Sequence, residues 1–406
     1  MEQPYLCTDI PEDHDLSEYF AFRRMNNHVL PDVPNENMVD VIAHRIKGYQ
    51  NPYLVLEFGY MAAAWFGQPD ELLKRKGILH KKPVLRRLYE EKSKWNDFVA
   101  MSRRLKIVLY PPGYQDALLT IEETAKYQPK FASWLNSLQP TIITDGYAGS
   151  RLRSIYSDCT FINFEPACLS RPGQLTHPHL GVLKNHNPRK DFLCLMSEQT
   201  ETRNFRNELN RHFHENDLVK DMIYSFKPMG ADTYDDVFKE FPKVLNKDDY
   251  LNDGEEADLT WPLTIPPVSS YNQTNFEIVS EAIVNDNDDT FDMSEKNTKP
   301  MVMRHPFMVL ANMKHLENLR RLGFRTFHDH IDESYDLEPK MSKRIEIIIE
   351  NMKRIRGNTL KIYNDTKDIR EHNFLMVQHH MGMAKTRTWQ KYNELFNKPK
   401  KETDKG

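Results

Sequence analysis

A chain of 406 residues with 39% hydrophobic and 11% aromatic side chains exceeds what a single core usually supports, which predicts two globular domains and excludes a disordered polymer. The net charge of −4 singles out no partner. The four cysteines, Cys7, Cys159, Cys168 and Cys194, contain no CxxC pair, so neither a disulfide framework nor a thiolate zinc site is expected, and a reducing cytosol is. No charged-then-apolar leader opens the sequence and no run approaches about 18 apolar residues, so a protein that is neither secreted nor membrane-spanning is expected.

Taken in chain order, short apolar runs alternate with helical patterns. Tyr53-Leu54-Val55-Leu56, Ile107-Val108-Leu109-Tyr110, Thr141-Ile142-Ile143-Thr144 and Phe161-Ile162-Asn163-Phe164 are predicted strands. Three of them run into Pro, Asp-Gly or Glu-Pro, which suits the carboxyl end of a strand in an open sheet. Between them, 70–98 (broken near Pro83) and 121–138 read as helices. The stretch 173–189, rich in Pro, His, Gly and Asn, is expected to be a linker or crevice loop. A strand follows at 192–196, an amphipathic helix at about 203–214 and a strand at 222–226. The acidic stretch 230–258 is weakly patterned and reads as an exposed excursion, and 276–284 as helical or mixed. Then come a strand at 306–311, a helix at 314–322 closed by Gly323, a short strand at Phe324-Arg325-Thr326-Phe327 and a strongly amphipathic helix at 342–356. The Lys-rich stretch 398–406 is expected to fray. Alternation of strands and helices predicts a mostly parallel α/β fold, with ligands beyond the carboxyl ends of the strands. The domains are expected at 1–185 and 186–345, with helices at 346–406 packing back on the first domain.

The segment 276–335 carries the strongest pattern: Asn275-Phe276-Glu277-Ile278-Val279-Ser280-Glu281, an acidic loop, Met293-Ser294-Glu295-Lys296-Asn297-Thr298-Lys299-Pro300, then Arg304-His305-Pro306-Phe307, then Leu322-Gly323-Phe324-Arg325-Thr326-Phe327 and Asp332-Glu333-Ser334-Tyr335-Asp336. In order and spacing this resembles a glycosyltransferase-like family of tailed phages and large viruses. Its Glu-Lys element also resembles the donor motif of fucosyltransferases. The resemblance covers roughly 190–350 and implies a GT-B-like fold, two Rossmann-like domains facing across a crevice. It implies acceptor binding in the first domain, nucleotide-sugar binding in the second and a setting in the cytoplasm of a bacterial host.

A nucleotide-sugar donor presents two diphosphate charges and a ribose diol, so it requires a cation at the leaving pyrophosphate and a carboxylate at the ribose. Ser294, Lys296 and Lys299 can open a helix pointing at phosphate. By resemblance the ribose role falls on Glu295 and the phosphate role on Lys296. The motif alone is equally a salt-bridged helix start. Arg203 and Arg206, which follow the strand at 192–196, correspond to an Arg-rich diphosphate loop, and two solvated helix arginines are the bland alternative. Glu281 is a candidate for orienting Lys296. The donor is expected to be UDP-linked, with no required cofactor. Asp286-Asn287-Asp288 has the look of a metal-binding triplet but sits in an acidic loop and reads as a solvated charge run. His177-Pro178-His179 and His379-His380 lack metal spacing. A divalent metal is thus possible and not expected.

A general base for the acceptor hydroxyl is sought at strand ends of the first domain, where Asp145, Glu165 and Glu57 stand, Asp145 first. The basic run Lys74, Arg75, Lys76, Lys81, Lys82, Arg86, Arg87, Arg103 and Arg104, interleaved with Tyr89, Trp95 and Phe98, has the footprint of a phosphate-backbone surface or of a solvated helix face. With the resemblance, it suggests transfer of a hexose or pentose, glucose or arabinose, to 5-hydroxymethylcytosine in double-stranded phage DNA. Transfer to a glycan or capsid, or a non-catalytic sugar-nucleotide binder, are the alternatives. A monomer or weak oligomer is expected.

Overall fold

A computed structural model of the chain describes residues 5–8, 26–29, 38–49, 52–57, 91–110, 129–144, 146–163, 186–198, 204–227 and 267–397, with a few single positions between them. Two compact units result, one formed by Met1–Glu165 with Lys385–Gly406 and the other by Pro166–Ala384.

Six strands form the main sheet of the first unit among the described residues: β1 (Tyr5–Thr8), β2 (Asn26–Val29), β3 (Tyr53–Glu57), β4 (Lys106–Tyr110), β5 (Thr141–Thr144) and β6 (Thr160–Asn163). They lie in the order β2-β1-β3-β4-β5-β6, every pair parallel. Parallel strands need crossovers, and here they run through α1 (Met38–Arg45), α2 (Trp95–Ser102), α3 (Pro129–Leu138) and α4 (Ser150–Ile155). The unbroken apolar runs of β3 and β4 match a sheet covered on both faces. The strands β1 and β2 are four residues each and carry no apolar run that would announce them.

The second unit holds β7 (Lys190–Glu198), β8 (Met222–Lys227), β9 (Thr274–Ser280) and β10 (Phe307–Leu310), in the order β10-β9-β7-β8 and all parallel. Its helices are α5 (Phe205–Glu215), α6 (Val268–Asn272), α7 (Glu295–Val302), α8 (His315–Arg321), α9 (Met341–Ile355), α10 (Thr359–Asp365) and the part of α11 (Lys367–Asn397) up to Ala384. Ile345, Ile348, Ile349, Met352 and Ile355 bury the stripe of α9 that the sequence showed. Two parallel sheets flanked by helices make the fold class α/β, as expected. Because β8 and β9 flank β7 on opposite sides, the strand order reverses between β7 and β9, the point in such a sheet where ligands gather at carboxyl ends.

Two expectations fail. The stretch 276–284 is not helical: Thr274–Ser280 is the strand β9, buried at every position. Asn275 and Glu277 disguise it, because each finds a buried side-chain partner in place of water. Asn275 Nδ2 donates to Thr359 Oγ1 at 3.3 Å, and Tyr271 Oη donates to Glu277 Oε2 at 2.5 Å. Nor is Phe324-Arg325-Thr326-Phe327 a strand. Its backbone bonds to side chains instead. Asn373 Oδ1 accepts from Arg325 N at 2.8 Å while its Nδ2 donates to Arg325 O at 2.9 Å, and Glu333 Oε1 accepts from Phe327 N at 2.8 Å.

The helix at 314–322 is observed as α8, with Gly323 past its end at φ +91°, where a left-handed residue closes a helix. The stretches 173–185 and 230–258 and the end 398–406 lie outside the described residues, as does most of 58–90. Among the described residues no helix is long and apolar enough to cross a membrane.

Candidate functional site

The site grows from the carboxyl end of β9. Glu281 follows directly, its N donating to Leu310 O at 3.0 Å so that the backbone stays tied to β10. Its carboxylate is buried and gathers four donors. Oε1 accepts from Ser294 N at 2.9 Å and from Asn297 Nδ2, and Oε2 accepts from Ser294 Oγ at 2.6 Å and from Ala282 N at 3.1 Å. Ser294 in turn caps α7, its Oγ accepting from Lys296 N at 3.3 Å with extended backbone at φ −89°, ψ 177°. Serine before Glu-Lys therefore starts a helix as the sequence suggested, and Glu281 bolts that start to the end of the central strand. Glu281 is thus a support beneath the motif, with its oxygens committed to the helix head.

The motif's charges stand on this base. Lys296 Nζ lies 3.0 Å from Glu295 Oε1 and 3.3 Å from Ser294 Oγ, and both side chains keep partial access to solvent, 18% for Lys296 and 31% for Glu295. Burial alone would raise the Glu295 carboxyl, but the charges of Lys296 and Lys299 outweigh it and hold it at about 2. Glu295 is therefore ionised across the physiological range and ready to accept hydroxyl donors. Burial lowers the Lys299 ammonium, against the attraction of Glu295. The amino end of α7 adds the partial positive charge of the helix dipole beside Lys296.

Arg206 enters from the other side of the switch point. It sits in the first turn of α5, fully buried, and its Nη2 donates to Glu281 O at 3.4 Å. A guanidinium held there places a permanent cation beside the same loop. It is not a solvated surface arginine. Ser280 Oγ, at the last position of β9, and Asn297 Oδ1 are buried and have no hydrogen-bond partner among the described residues.

In the acidic triplet Asp286 and Asn287 are exposed, as in a solvated run, and Asp288 is not. Asp288 is fully buried and accepts from Thr290 N at 2.9 Å, Thr290 Oγ1 at 2.7 Å and Asn285 Nδ2 at 3.2 Å. Asp286 caps α9 through Met341 N at 2.6 Å, and that hydrogen bond lowers its carboxyl. Both carboxylates therefore serve turns and caps. Of the histidine pair, His380 is buried, with Nε2 2.7 Å from Leu322 O and its ring stacked on Phe324, so it is a packing residue and not a surface one.

Several other candidates fall elsewhere. Asp145, Glu165, Arg203, Lys74, Arg75, Lys76, Lys81, Lys82, Arg86 and Arg87 lie outside the described residues, as do His177 and His179. Glu57 closes β3 at the carboxyl edge, level with Tyr110. Arg103 and Arg104 are exposed in the turn entering β4, at the amino edge. The five-residue strand between these edges is roughly 17 Å long.

Sequence reasoning passed over Glu277 and Asn297. A glutamate inside an apolar run with a serine-capped helix downstream is the signal that could have found the first. Burial raises the Glu277 carboxyl to about 8, with the Tyr271 hydrogen bond and Lys299 opposing. Asn297 sits in the motif itself.

Compared by sequence, the chain matches no protein-family pattern and no curated protein. Among solved structures its course is similar to that of the phage T4 β-glucosyltransferase, at 9% identity over 98% of this chain and 100% of that one, with a TM-score of 0.40. It is also similar to a DNA-modifying β-glucosyltransferase studied with and without uridine diphosphoglucose, at 8% identity, the same coverages and a TM-score of 0.41. A glycosyltransferase from Rickettsia africae is matched at 9% identity, 98% and 100% coverage and a TM-score of 0.34. At these scores the likeness assigns no residue a role.

Proposed function

We propose that the chain is a glycosyltransferase of the GT-B type that takes a sugar from a nucleotide-sugar, UDP-linked, and transfers it to a hydroxyl acceptor. One observation carries this reading. The head of α7, capped by Ser294 and fixed by Glu281, presents Lys296, Lys299 and an ionised Glu295 beside the strand-order reversal of a parallel sheet, with Arg206 buried next to it. In this reading Lys296 and Lys299, with the helix dipole, take the diphosphate and stabilise the nucleotide as it leaves with its bonding electron pair. Glu295 exchanges its ion pair for the ribose hydroxyls, and Arg206 and Arg203 add charge from the α5 side. A carboxylate at a strand end of the first sheet, Asp145, Glu165 or Glu57, accepts the acceptor's proton.

For the acceptor we favour 5-hydroxymethylcytosine in double-stranded DNA, on the strength of the basic run from Lys74 to Arg104 and the motif's resemblance to phage enzymes. The placement of Arg103 and Arg104 at the amino edge of the first sheet, opposite Glu57, favours a second reading with a glycan acceptor. Incubating the protein with UDP- and GDP-sugars and hydroxymethylated duplex DNA, followed by nucleoside mass spectrometry, separates the two. A mass increment on hydroxymethylcytosine supports the first, and donor consumption only with glycan acceptors supports the second. Lys296→Ala is expected to lower turnover by about 100-fold or more, the scale of one lost transition-state cation. Undiminished turnover in that variant removes the assignment.

A further inference from the structure

Beneath the head of α7 the same face of β9 carries a second buried carboxylate. Glu277 lies mid-strand, level with Phe307 of β10 and Leu193 of β7, and is 3% exposed. It precedes Glu281 by four residues, so in an extended strand the two point to one side. Leu193, Val268, Tyr271 and Met303 form a buried apolar cluster there, an environment in which an isolated carboxylate is costly. From α6 the Tyr271 hydroxyl donates to it at 2.5 Å. From α7 the Lys299 ammonium acts on it electrostatically, and the same ammonium is drawn toward Glu295. From β7 the Cys194 thiol feels its charge, with Arg206 of α5 nearby, and on the β10 side the His305 ring is 4.9 Å from the Tyr271 ring. Charges thus alternate through the site: Lys296, Glu295, Lys299, Glu277.

We propose that Glu277 is a positioning residue for the donor diphosphate, drawing on Lys299 beneath the helix head when ionised and, from that form, taking up one solvent proton when the diphosphate binds. The inference rests on the donor-site reading of α7. Above about pH 8, with Glu277 ionised, the four side chains sum to zero and meet an incoming diphosphate with no net charge. Adding a proton to the carboxylate gives the cluster one positive charge and turns the pull on Lys299 toward the phosphate. In a poorly solvated interior that single charge is felt strongly. Tyr271 can still donate to the carbonyl oxygen of the neutral acid, so the exchange requires no rearrangement of β9 or α6. The carboxyl already stands at about 8 through burial, within reach of a ligand's field.

Calorimetric titration of the full chain with UDP, GDP and ADP tests this, each at several pH values between about 7 and 9.5 and in two buffers of different ionisation enthalpy. The nucleotide that binds is expected to weaken roughly tenfold per pH unit above the Glu277 pKa and to take up close to one proton there. Glu277→Gln keeps the volume and an acceptor for Tyr271, and is expected to bind with a flat pH profile and no uptake. Lys299→Met removes a cation that opposes the effect of burial at Glu277, which raises that carboxyl further, and is expected to lower the uptake as well. If a nucleotide binds the wild type without proton uptake, or the variants retain the wild-type uptake, the inference is overturned while the donor site stands. If none of the three binds the wild type, the donor-site reading fails and this inference fails with it.

Discussion

With four donors converging on one carboxylate, Glu281 holds the start of α7 against the end of β9. Replacing it with alanine strands buried N–H and O–H groups, each worth about 1–3 kcal/mol when left unpaired. Glu281→Ala is therefore expected to lower the unfolding free energy read from a urea titration by that scale and to weaken nucleotide binding more than an equally destabilising change elsewhere in the second unit. Glu277 gives a different signature. Its folded pKa of about 8 exceeds the ordinary carboxyl value, so the unfolded chain loses this proton first. Stability from this group is full below about pH 4.5 and falls as pH rises toward 8. Glu277→Gln removes that loss, and its melting temperature relative to wild type is expected to rise between pH 5 and pH 9, by a gap worth a few kcal/mol at about 1.4 kcal/mol per unit. An unchanged gap across that range would show the carboxyl to be unperturbed. Ser294, Glu295 and Lys296 were legible in the sequence because a capping serine and a charged first turn are local chemistry. Glu277 was not, because its partners Tyr271 and Lys299 come from separate helices.

At the scale of elements, much of the pattern that marks 322–336 in the sequence is scaffolding. Asp336 accepts from Leu316 N at 2.7 Å and Glu317 N at 3.1 Å, capping α8 from 20 residues downstream. Glu333 accepts from Thr326 Oγ1 at 3.0 Å and from Arg320 Nη1 at 2.9 Å, and Tyr335 is buried with its hydroxyl 3.4 Å from Val309 N. Asn373 supplies one donor and one acceptor to Arg325, doing with a single side chain what a neighbouring strand would do with its backbone. Asn373→Ala is expected to speed hydrogen exchange at the Arg325 amide while leaving the amides of β9 slow. Gly323→Ala combines a positive φ with Met376 Cε 2.8 Å from the added methyl, and is expected to cost about 1 kcal/mol or more in denaturant titration. The strand expected at 324–327 was misread because an extended segment of Phe and Thr looks the same whether a strand or an asparagine satisfies it. By contrast β3, β4, β5 and α9 were legible from runs and periodicity that depend on their own residues.

Across the whole molecule, alternation of strands and helices foretold parallel sheets, and both units have them. Which strands neighbour one another was not readable, because pairing order depends on crossovers whose direction leaves no local mark. The long helix α11 lies within 346–406, the stretch expected to hold helices, and its far part, from Lys385, belongs to the first unit. There Tyr392 and Phe396 pack into a core with Tyr53, Val55, Val108, Tyr110 and Ile143, and the Tyr53 and Phe396 rings meet edge-on at 5.1 Å. Phe396→Ala is expected to destabilise the first unit by about 3–5 kcal/mol, the usual cost of emptying a buried phenylalanine site. A thermal melt should then split, with the second unit unfolding near its original temperature. The same arrangement bears on how the protein is made. The sheet built from 5–163 leaves the ribosome with one flank bare, and the segment that shields it emerges only after all of 166–384 has been translated. For that interval the nascent polypeptide carries an oily surface of the sort that trigger-type chaperones grasp, so the finishing order of the two units is the reverse of their order in the gene.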